Sequence, residues 1–190
     1  MKKKGLLIAI GAVVVVIALV VGGIVSTNNN LVDMQEAVAE KEAQVENYLQ
    51  RRADLIPNLV STVKGYAAHE EEVYAALADA RAKLNSASSA EEYTEANESF
   101  ESALSRLLVV VENYPELKAN ENFIYLQDEL SGSESRISTA RKDYNEAVAE
   151  YNKTIKKFPT VIFAGILGFE EAEYFEATDD AQNAPVVSFE

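Results

Sequence analysis

The chain has 190 residues, no cysteine or tryptophan, one histidine and a formal net charge of -14. Because Lys2, Lys3 and Lys4 supply three of its 17 basic residues, residues 27–190 hold 14 basic and 31 acidic side chains. This excess of negative charge excludes a nucleic-acid partner, which needs basic patches, and disfavours broad contact with anionic lipid. Without cysteine, an exported domain has to be stable without disulfides.

Residues 5–26 form an uncharged stretch that is long enough to cross a membrane. As a helix it spans about 33 Å, against a hydrocarbon core of about 30 Å. A cleaved signal peptide is the alternative, but its apolar region is usually only about 7 to 15 residues long. We therefore predict a retained transmembrane anchor, preceded by a basic N-terminus over residues 1–4 and in contact with lipid through residues 5–26.

Basic residues beside the anchor predict its orientation. Three lysines precede it, whereas the first basic residue after it is Lys41, which follows Asp33, Glu36 and Glu40. The positive-inside rule then places the N-terminus in the cytoplasm and the remaining domain outside it. We expect a single-pass membrane protein with an extracytoplasmic helical domain.

Three segments after the anchor repeat apolar positions at steps of three and four residues, the period of left-handed helix packing. They predict an all-α domain over residues 27–159, an antiparallel up-and-down bundle of three to four long helices. The first stripe, interrupted at Lys41 and Arg52, comprises Leu31, Met34, Val38, Val45, Tyr48, Leu55, Leu59, Val63, Tyr66, Val73 and Leu77. The second comprises Tyr93, Ala96, Phe100, Ala103, Leu107, Val110 and Tyr114. The third comprises Phe123, Leu126, Leu130, Ser133, Ile137, Ala140, Tyr144, Ala147, Tyr151, Thr154 and Phe158.

Capping and breaking residues predict where these helices begin and end. Ser89 with Glu92 three residues later predicts a capping box. Pro115 and Pro159 each end a helix, because proline cannot continue the backbone hydrogen bonds. Gly132 lies inside the third helix, where it costs about 1 kcal/mol relative to alanine and admits a close neighbour.

Pro57 breaks the first helix in one of two ways. Undivided, that helix would run over about residues 28–84 and reach about 85 Å. Division at Pro57 or Gly65 gives pieces that suit a four-helix bundle, whereas a kink would leave residues 28–56 as a stalk. We favour the bundle and expect burial on both sides of the break, at Leu55, Ile56, Leu59 and Val60.

Charged candidates for chemistry are few. Residues 69–72 (His-Glu-Glu-Glu) invite a metal interpretation, but zinc needs further histidine or cysteine, and a di-iron bundle needs two Glu-x-x-His pairs. Arg51, Arg52 and Asp54 are expected to form ion pairs that fix helix register, with Arg52 reaching from its stripe to solvent. The sequence therefore predicts no catalytic, metal-binding or cofactor-binding residue and no enzyme.

Two tyrosine–asparagine pairs, Tyr144-Asn145 and Tyr151-Asn152, lie one heptad apart. Rings at core positions with amide neighbours favour packing plus a buried hydrogen-bonded ladder over a binding site.

Residues 161–169 are apolar throughout and too short for a second span. They are expected either to cover the bundle as a loop or to form an exposed patch that docks on a partner, a second copy or the membrane interface. They belong to a predicted C-terminal segment over residues 160–177, and an acidic tail follows over residues 178–190.

Several motifs resemble the LemA family. They are QRRADLIPNLV at 50–60, VKGYA at 63–67 with His69-Glu70, YPELKANENF at 114–123, both tyrosine–asparagine pairs, Phe158-Pro159, Gly168-Phe169 and Tyr174-Phe175. The resemblance covers about residues 30–177 and leaves out the acidic tail. It implies an N-terminal membrane helix and a helical bundle with an unsettled molecular function. The usual description of the family puts a short N-terminus outside the cell, opposite to the orientation that the lysines predict.

These features favour a non-enzymatic membrane-anchored scaffold that works in membrane or envelope organisation. The anchor carries Ala18-x-x-x-Gly22 with Gly23 adjacent, a small-residue pattern that favours helix association, so we expect a homo-oligomer. The alternative, which the family resemblance makes plausible, is an adaptor or regulator of a membrane protease. A small-ligand sensor would need an internal cavity.

Overall fold

The computed structural model describes residues 2–175, with side chains from residue 10 onward. Every regular element in this range is helical, which confirms the predicted all-α class. The predicted acidic tail at 178–190 and the last two residues of the segment predicted at 160–177 lie outside the described range. The helices are α1 (Lys2–Lys64), α2 (Glu71–Ser86), α3 (Ala90–Val111), α4 (Pro115–Lys118), α5 (Glu121–Lys156) and α6 (Thr160–Leu167).

The first helix, α1, contains 63 residues and runs through Pro57 without division. It ends directly before Gly65, so the break falls at the second of the two predicted positions. Because Pro57 is exposed, its ring stays clear of the core, and packing on both flanks keeps the helix continuous despite the missing donor. Of the four neighbours expected to be buried, Ile56 and Leu59 are buried, while Leu55 and Val60 are half-buried.

Predicted caps and breaks agree with the observed helix ends in most respects. The Ser89 hydroxyl accepts from the Glu92 backbone N–H at 3.2 Å and so caps α3. The Glu92 carboxylate returns to the backbone N–H of Ser88 at 2.7 Å, one residue earlier than in the predicted capping box. Pro115 opens α4, where its missing N–H is not needed, and Pro159 follows the end of α5.

The second and third predicted stripes locate the core well until their period drifts, whereas the first is mixed, since its Tyr66 is 39% exposed. Positions from Tyr93 to Leu107 are buried, after which Val111 takes the core position predicted for Val110. Along α5 the stripe holds to Tyr144 and again at Tyr151, while Val148 and Ile155 take the core positions predicted for Ala147 and Thr154. Phe158, predicted in the stripe, is 80% exposed. That prediction is wrong because an α-helix turns every 3.6 residues and α5 has already ended at Lys156.

The chain divides into two compact units. Among the described residues, the first comprises residues 2–40 and 146–172, and the second comprises residues 41–145 and 173–175. One helix of the described chain, α1, is long and apolar enough to cross a membrane. Its apolar side chains from Ile10 to Val21 are exposed in the first unit, as a lipid-facing surface requires. Buried side chains of the first unit are Leu31, Val38, Val148, Tyr151, Asn152, Ile155 and Ala164.

Candidate functional site

Arg52 lies at the centre of a buried charge cluster in the second unit and is only 1% exposed. Its Nη1 donates to Asn97 Oδ1 at 2.6 Å and to Glu134 Oε2 at 2.5 Å, while Nη2 donates to Glu101. Its guanidinium carbon stands 4.3 Å from the centroid of the Phe100 ring. The cluster therefore joins α1, α3 and α5 through one cation. A guanidinium that is bound and stacked in this way is suited to holding helices together.

The expected ion-pairing role of the arginines is confirmed, but the expected snorkelling of Arg52 is wrong. Its partners compensate the cost of removing the charge from water, so the side chain stays inside. Arg51 forms a surface ion pair with Glu129 at 3.0 Å. Asp54, also expected to form an ion pair, instead accepts a hydrogen bond from the uncharged side chain of Gln50 at 3.1 Å.

The partners Asn97, Glu101 and Glu134 were not singled out from the sequence. Asn97 and Glu101 lie one turn apart on the same side of α3, next to the apolar stripe, and this spacing is the signal that the sequence offered. Nothing in the stripes places Arg52 opposite these two residues, since that depends on the packing of α1 against α3. The pairing is thus a tertiary finding.

Arg141 is a second arginine close to the same charges. Burial lowers the pKa of Arg141, with opposition from Glu134 and Glu98 and a further lowering by Arg52. Its guanidinium lies 5.3 Å from the centroid of the Phe175 ring, and its Nε and Nη2 atoms are buried without a hydrogen-bond partner. Arginine stays protonated in proteins, so this pair of cations offers no base for proton transfer.

In the first unit, Tyr151 and Asn152 hold the chain that follows α6. The Asn152 side chain donates to the carbonyl of Ala172 at 2.8 Å and accepts from the backbone N–H of the same residue at 2.9 Å. The Tyr151 hydroxyl donates to the carbonyl of Glu170 at 2.8 Å. Burial, with the nearby Glu170 charge, raises the pKa of Tyr151.

In the second unit, Tyr144 and Asn145 repeat the arrangement. Asn145 donates to the carbonyl of Phe175 at 2.8 Å and accepts from its N–H at 2.9 Å, while the Tyr144 hydroxyl donates to the carbonyl of Glu173 at 2.9 Å. The rings of Tyr144 and Phe175 meet edge to face at 4.9 Å. Burial, with the charges of Glu42 and Glu173, raises the pKa of Tyr144 to about 12.

Both pairs follow one geometric rule. Each asparagine pairs with both backbone groups of one residue, and each tyrosine donates to the carbonyl two residues before it. The pairs are seven residues apart on α5, and their partners are three apart on the extended segment. The predicted hydrogen-bonded ladder is confirmed, and its partner is the backbone of the extended segment at residues 170–175.

The acidic run beside the histidine does not form a metal site in the described part of the chain. His69 is exposed, and no group of three or more histidine, cysteine, aspartate or glutamate side chains there could hold an ion. A groove open to solvent, of about 510 Å³, lies nearby between Lys64 and Tyr74. The Lys64 ammonium stands 5.0 Å from the Tyr74 ring centroid. The other lining residues are Ala68, Glu71 and Ala75.

The apolar segment predicted at 161–169 is largely helical, so the expectation of a covering loop is wrong. Within α6 and just before it, the exposed apolar side chains are Phe158 at 80%, Val161 at 46%, Ile162 at 51%, Ile166 at 78% and Leu167 at 38%. Ala164 alone among the residues of α6 is buried. Gly168, with φ at 80°, ends the helix in the left-handed region that favours glycine. The exposed-patch alternative therefore fits the structure.

Comparisons with known proteins agree with these motifs. Magnetosome proteins MamQ 1 and MamQ 2 of Paramagnetospirillum magneticum are each 30% identical to the chain, over 84% of it and 68% of the relative. Protein LemA of Metamycoplasma hominis is 23% identical over 82% of the chain and 71% of that protein. The LemA family model matches residues 41–189, so the match extends into the acidic tail that the motif resemblance left out. With its apolar N-terminal helix, this helical membrane protein belongs to the LemA family.

Proposed function

We propose that the protein is a non-enzymatic scaffold, anchored by residues 5–26, that self-associates in the membrane plane and organises the membrane or envelope. The main observation that supports this proposal is the continuity of α1. The same helix is apolar and uncovered where it would meet lipid, and is held in the core by Arg52 near its other end. No flexible linker separates anchor from domain, which suits a protein that holds its partners in place.

Contacts within the second unit support the antiparallel bundle that this proposal includes. Arg52 on α1 binds Glu134 on α5, and Glu42 on α1 raises the pKa of Tyr144 on α5. Positions that increase along α1 therefore meet positions that decrease along α5, so these helices run in opposite directions. Such pairing with short connections is typical of up-and-down bundles.

The proposal of a non-enzymatic role has two supports. The arginine cluster and the tyrosine–asparagine pairs bind groups of the chain itself, and each has a structural explanation. The names of the relatives, LemA and magnetosome protein MamQ, state no reaction. We place the domain on the extracytoplasmic side because of the lysines that precede the anchor.

The test is the oligomeric state of the full-length protein in several mild detergents, measured by sedimentation at low and high salt. We expect a multimer that Gly22→Ile weakens, because Gly22 completes the small-residue pair with Ala18. Gly11→Ile is the matched control, since neither glycine has an atom within 4 Å of an added Cβ. Assembly should tighten as salt screens the acidic domains. A monomer under all conditions would contradict the self-associating scaffold.

A further inference from the structure

The surface of α6 is unlike that of a helix that faces water. Residues 158–169 carry no charged side chain, and the exposed positions of the helix include Val161, Ile162 and Ile166. A helix on a soluble surface normally turns a polar face outward, whereas one that is apolar on its exposed face is covered by protein or lipid.

The position of α6 in its unit indicates what covers this apolar face. It shares a compact unit with residues 1–40, whose apolar stretch is the anchor. Burial in that unit begins directly at the end of the anchor: Ile24 and Thr27 are half-buried, and Leu31 is fully buried. Since α1 rises about 1.5 Å per residue, folded structure starts within about 10 Å of the membrane surface.

The course of α1 and α5 through the first unit places α6 toward its membrane end. Within this unit α1 contributes Leu31 and Val38, α5 contributes Val148 and Ile155, and the unit boundary falls after Glu40 on α1 and before Glu146 on α5. All four of these apolar side chains are buried. α5 therefore runs from this boundary back toward the anchor, and α6 follows α5 at the anchor end of the unit.

Local charge also suits a lipid surface. Although the domain is strongly acidic, three of its 14 basic residues after the anchor are Lys153, Lys156 and Lys157, directly before Phe158. Lys156 is paired with Glu171 at 2.6 Å, and all three lysines are exposed. Residues 153–171 hold these three lysines and two glutamates, Glu170 and Glu171, so this segment has a net charge of +1 within an acidic domain. Lysine side chains beside apolar residues are placed to meet lipid phosphates.

We infer that α6, with Phe158, lies in the interfacial layer of the membrane that α1 crosses and forms a second lipid contact on the domain side. Apolar side chains enter the headgroup boundary while the lysines at the end of α5 meet the phosphates. Two contacts instead of one fix the height and tilt of the domain. The inference rests on the membrane anchoring in the proposed function and adds a site to it.

The absence of cysteine makes a direct test possible. Single cysteines at Ile166, Val16 and Val109 of the full-length protein are spin-labelled and reconstituted in vesicles of phosphatidylethanolamine and phosphatidylglycerol. Collision rates with oxygen and with a water-soluble nickel complex report depth. Val109 is the matched control because it is also apolar and 65% exposed, but lies in the second unit on α3. We expect the Ile166 label, like the Val16 label in the span, to collide more with oxygen than with the nickel complex. Its depth in the membrane should be shallower than that of the Val16 label.

Each outcome decides a separate point. An Ile166 label as accessible to nickel as the Val109 label overturns the inference while leaving the anchor intact. A water-accessible Val16 label would instead remove the anchor and the proposed function with it. Spin–spin broadening at Ile166 that vanishes when lipid is added in excess would show that a second copy covers α6, which also overturns the lipid contact.

A second measurement uses the absence of tryptophan. In vesicles, the tryptophan of Phe158→Trp should emit at a shorter wavelength than that of Tyr125→Trp, and brominated lipid should quench it. Tyr125→Trp, at a position 62% exposed on α5 in the second unit, should be quenched by aqueous iodide instead. Because both side chains are on the surface, neither change disturbs the core. Equal iodide quenching of the two tryptophans would overturn the inference.

Discussion

At the scale of single residues, Arg51 and Arg52 are adjacent arginines on one helix that have different environments and different structural roles. The side chain of Arg51 is 56% exposed and pairs with one glutamate, whereas that of Arg52 is 2% exposed and has three partners. A surface pair gains little because water competes for both charges. A buried cation leaves its partners uncompensated when it is removed.

We therefore expect Arg52→Ala to lower the free energy of unfolding by about 2 to 4 kcal/mol, less than for a fully buried pair because Glu101 and Glu134 keep some hydration. Arg51→Ala, the adjacent control, should cost less than about 1 kcal/mol. Urea unfolding of the full-length protein in mild detergent measures both. Equal losses for the two variants would contradict the role assigned to the cluster.

Tyr144 gives a prediction for alkaline pH. Its pKa is raised from 10.0 to about 12, so the folded protein holds the phenol proton more tightly than the unfolded chain does. The resulting stability is fully present below pH 10 and is lost as pH rises from 10 toward 12. Tyr144→Phe should reduce the pH dependence of the unfolding free energy in this range by close to one proton. Near pH 7 it should cost about 1 kcal/mol, because the hydrogen bond to Glu173 is lost.

Urea midpoints measured from pH 7 to pH 12 would check this prediction for Tyr144. Tyr125→Phe is the control for loss of one phenol, because Tyr125 is 62% exposed. If the urea midpoint of Tyr144→Phe falls with pH as steeply as that of the wild type, the prediction is wrong.

At the scale of helices, Gly132 in α5 has no close neighbour, contrary to expectation. An added Cβ would meet only the Arg136 side chain, at 3.8 Å or more, which is ordinary contact. Alanine restricts the unfolded chain and favours helix. Gly132→Ala should therefore stabilise the protein by about 0.5 to 1 kcal/mol, measured as a higher urea midpoint. A loss of stability would mean that a partner approaches the backbone here.

Leu59 tests whether the part of α1 around Pro57 belongs to the core. It is 1% exposed, so Leu59→Ala should cost about 2 to 5 kcal/mol through lost burial and a cavity. Val109→Ala, on the surface of α3, should change the free energy of unfolding by less than about 0.5 kcal/mol. Similar small effects for the two variants would fit a stalk instead of a core helix.

At the scale of the whole molecule, orientation in the membrane is the main prediction. Val109→Cys adds the only thiol to the full-length protein. A membrane-impermeant maleimide added to intact spheroplasts should label it, because the lysines before the anchor favour the cytoplasm. The cysteine-free parent and Val16→Cys, within the span, should stay unlabelled. Labelling only after lysis would reverse the orientation and support the usual family description.

The sequence by itself determined the helical class, the long apolar N-terminal helix and most core positions. These follow from local quantities: an uncharged stretch of sufficient length, a repeat of apolar residues, and prolines that cannot continue a helix. The ladder of Tyr144, Asn145, Tyr151 and Asn152 was also predictable as a ladder, because buried amides and phenols need partners.

Only the tertiary structure decided which partners those groups have. Arg52 looked like a side chain that reaches solvent, and it is buried because Asn97, Glu101 and Glu134 arrive from helices distant in sequence. Phe158 continued a heptad pattern, yet it is exposed because the helix ended first. Local patterns set which face of a helix is apolar. Packing between distant segments sets what that face and its charges meet.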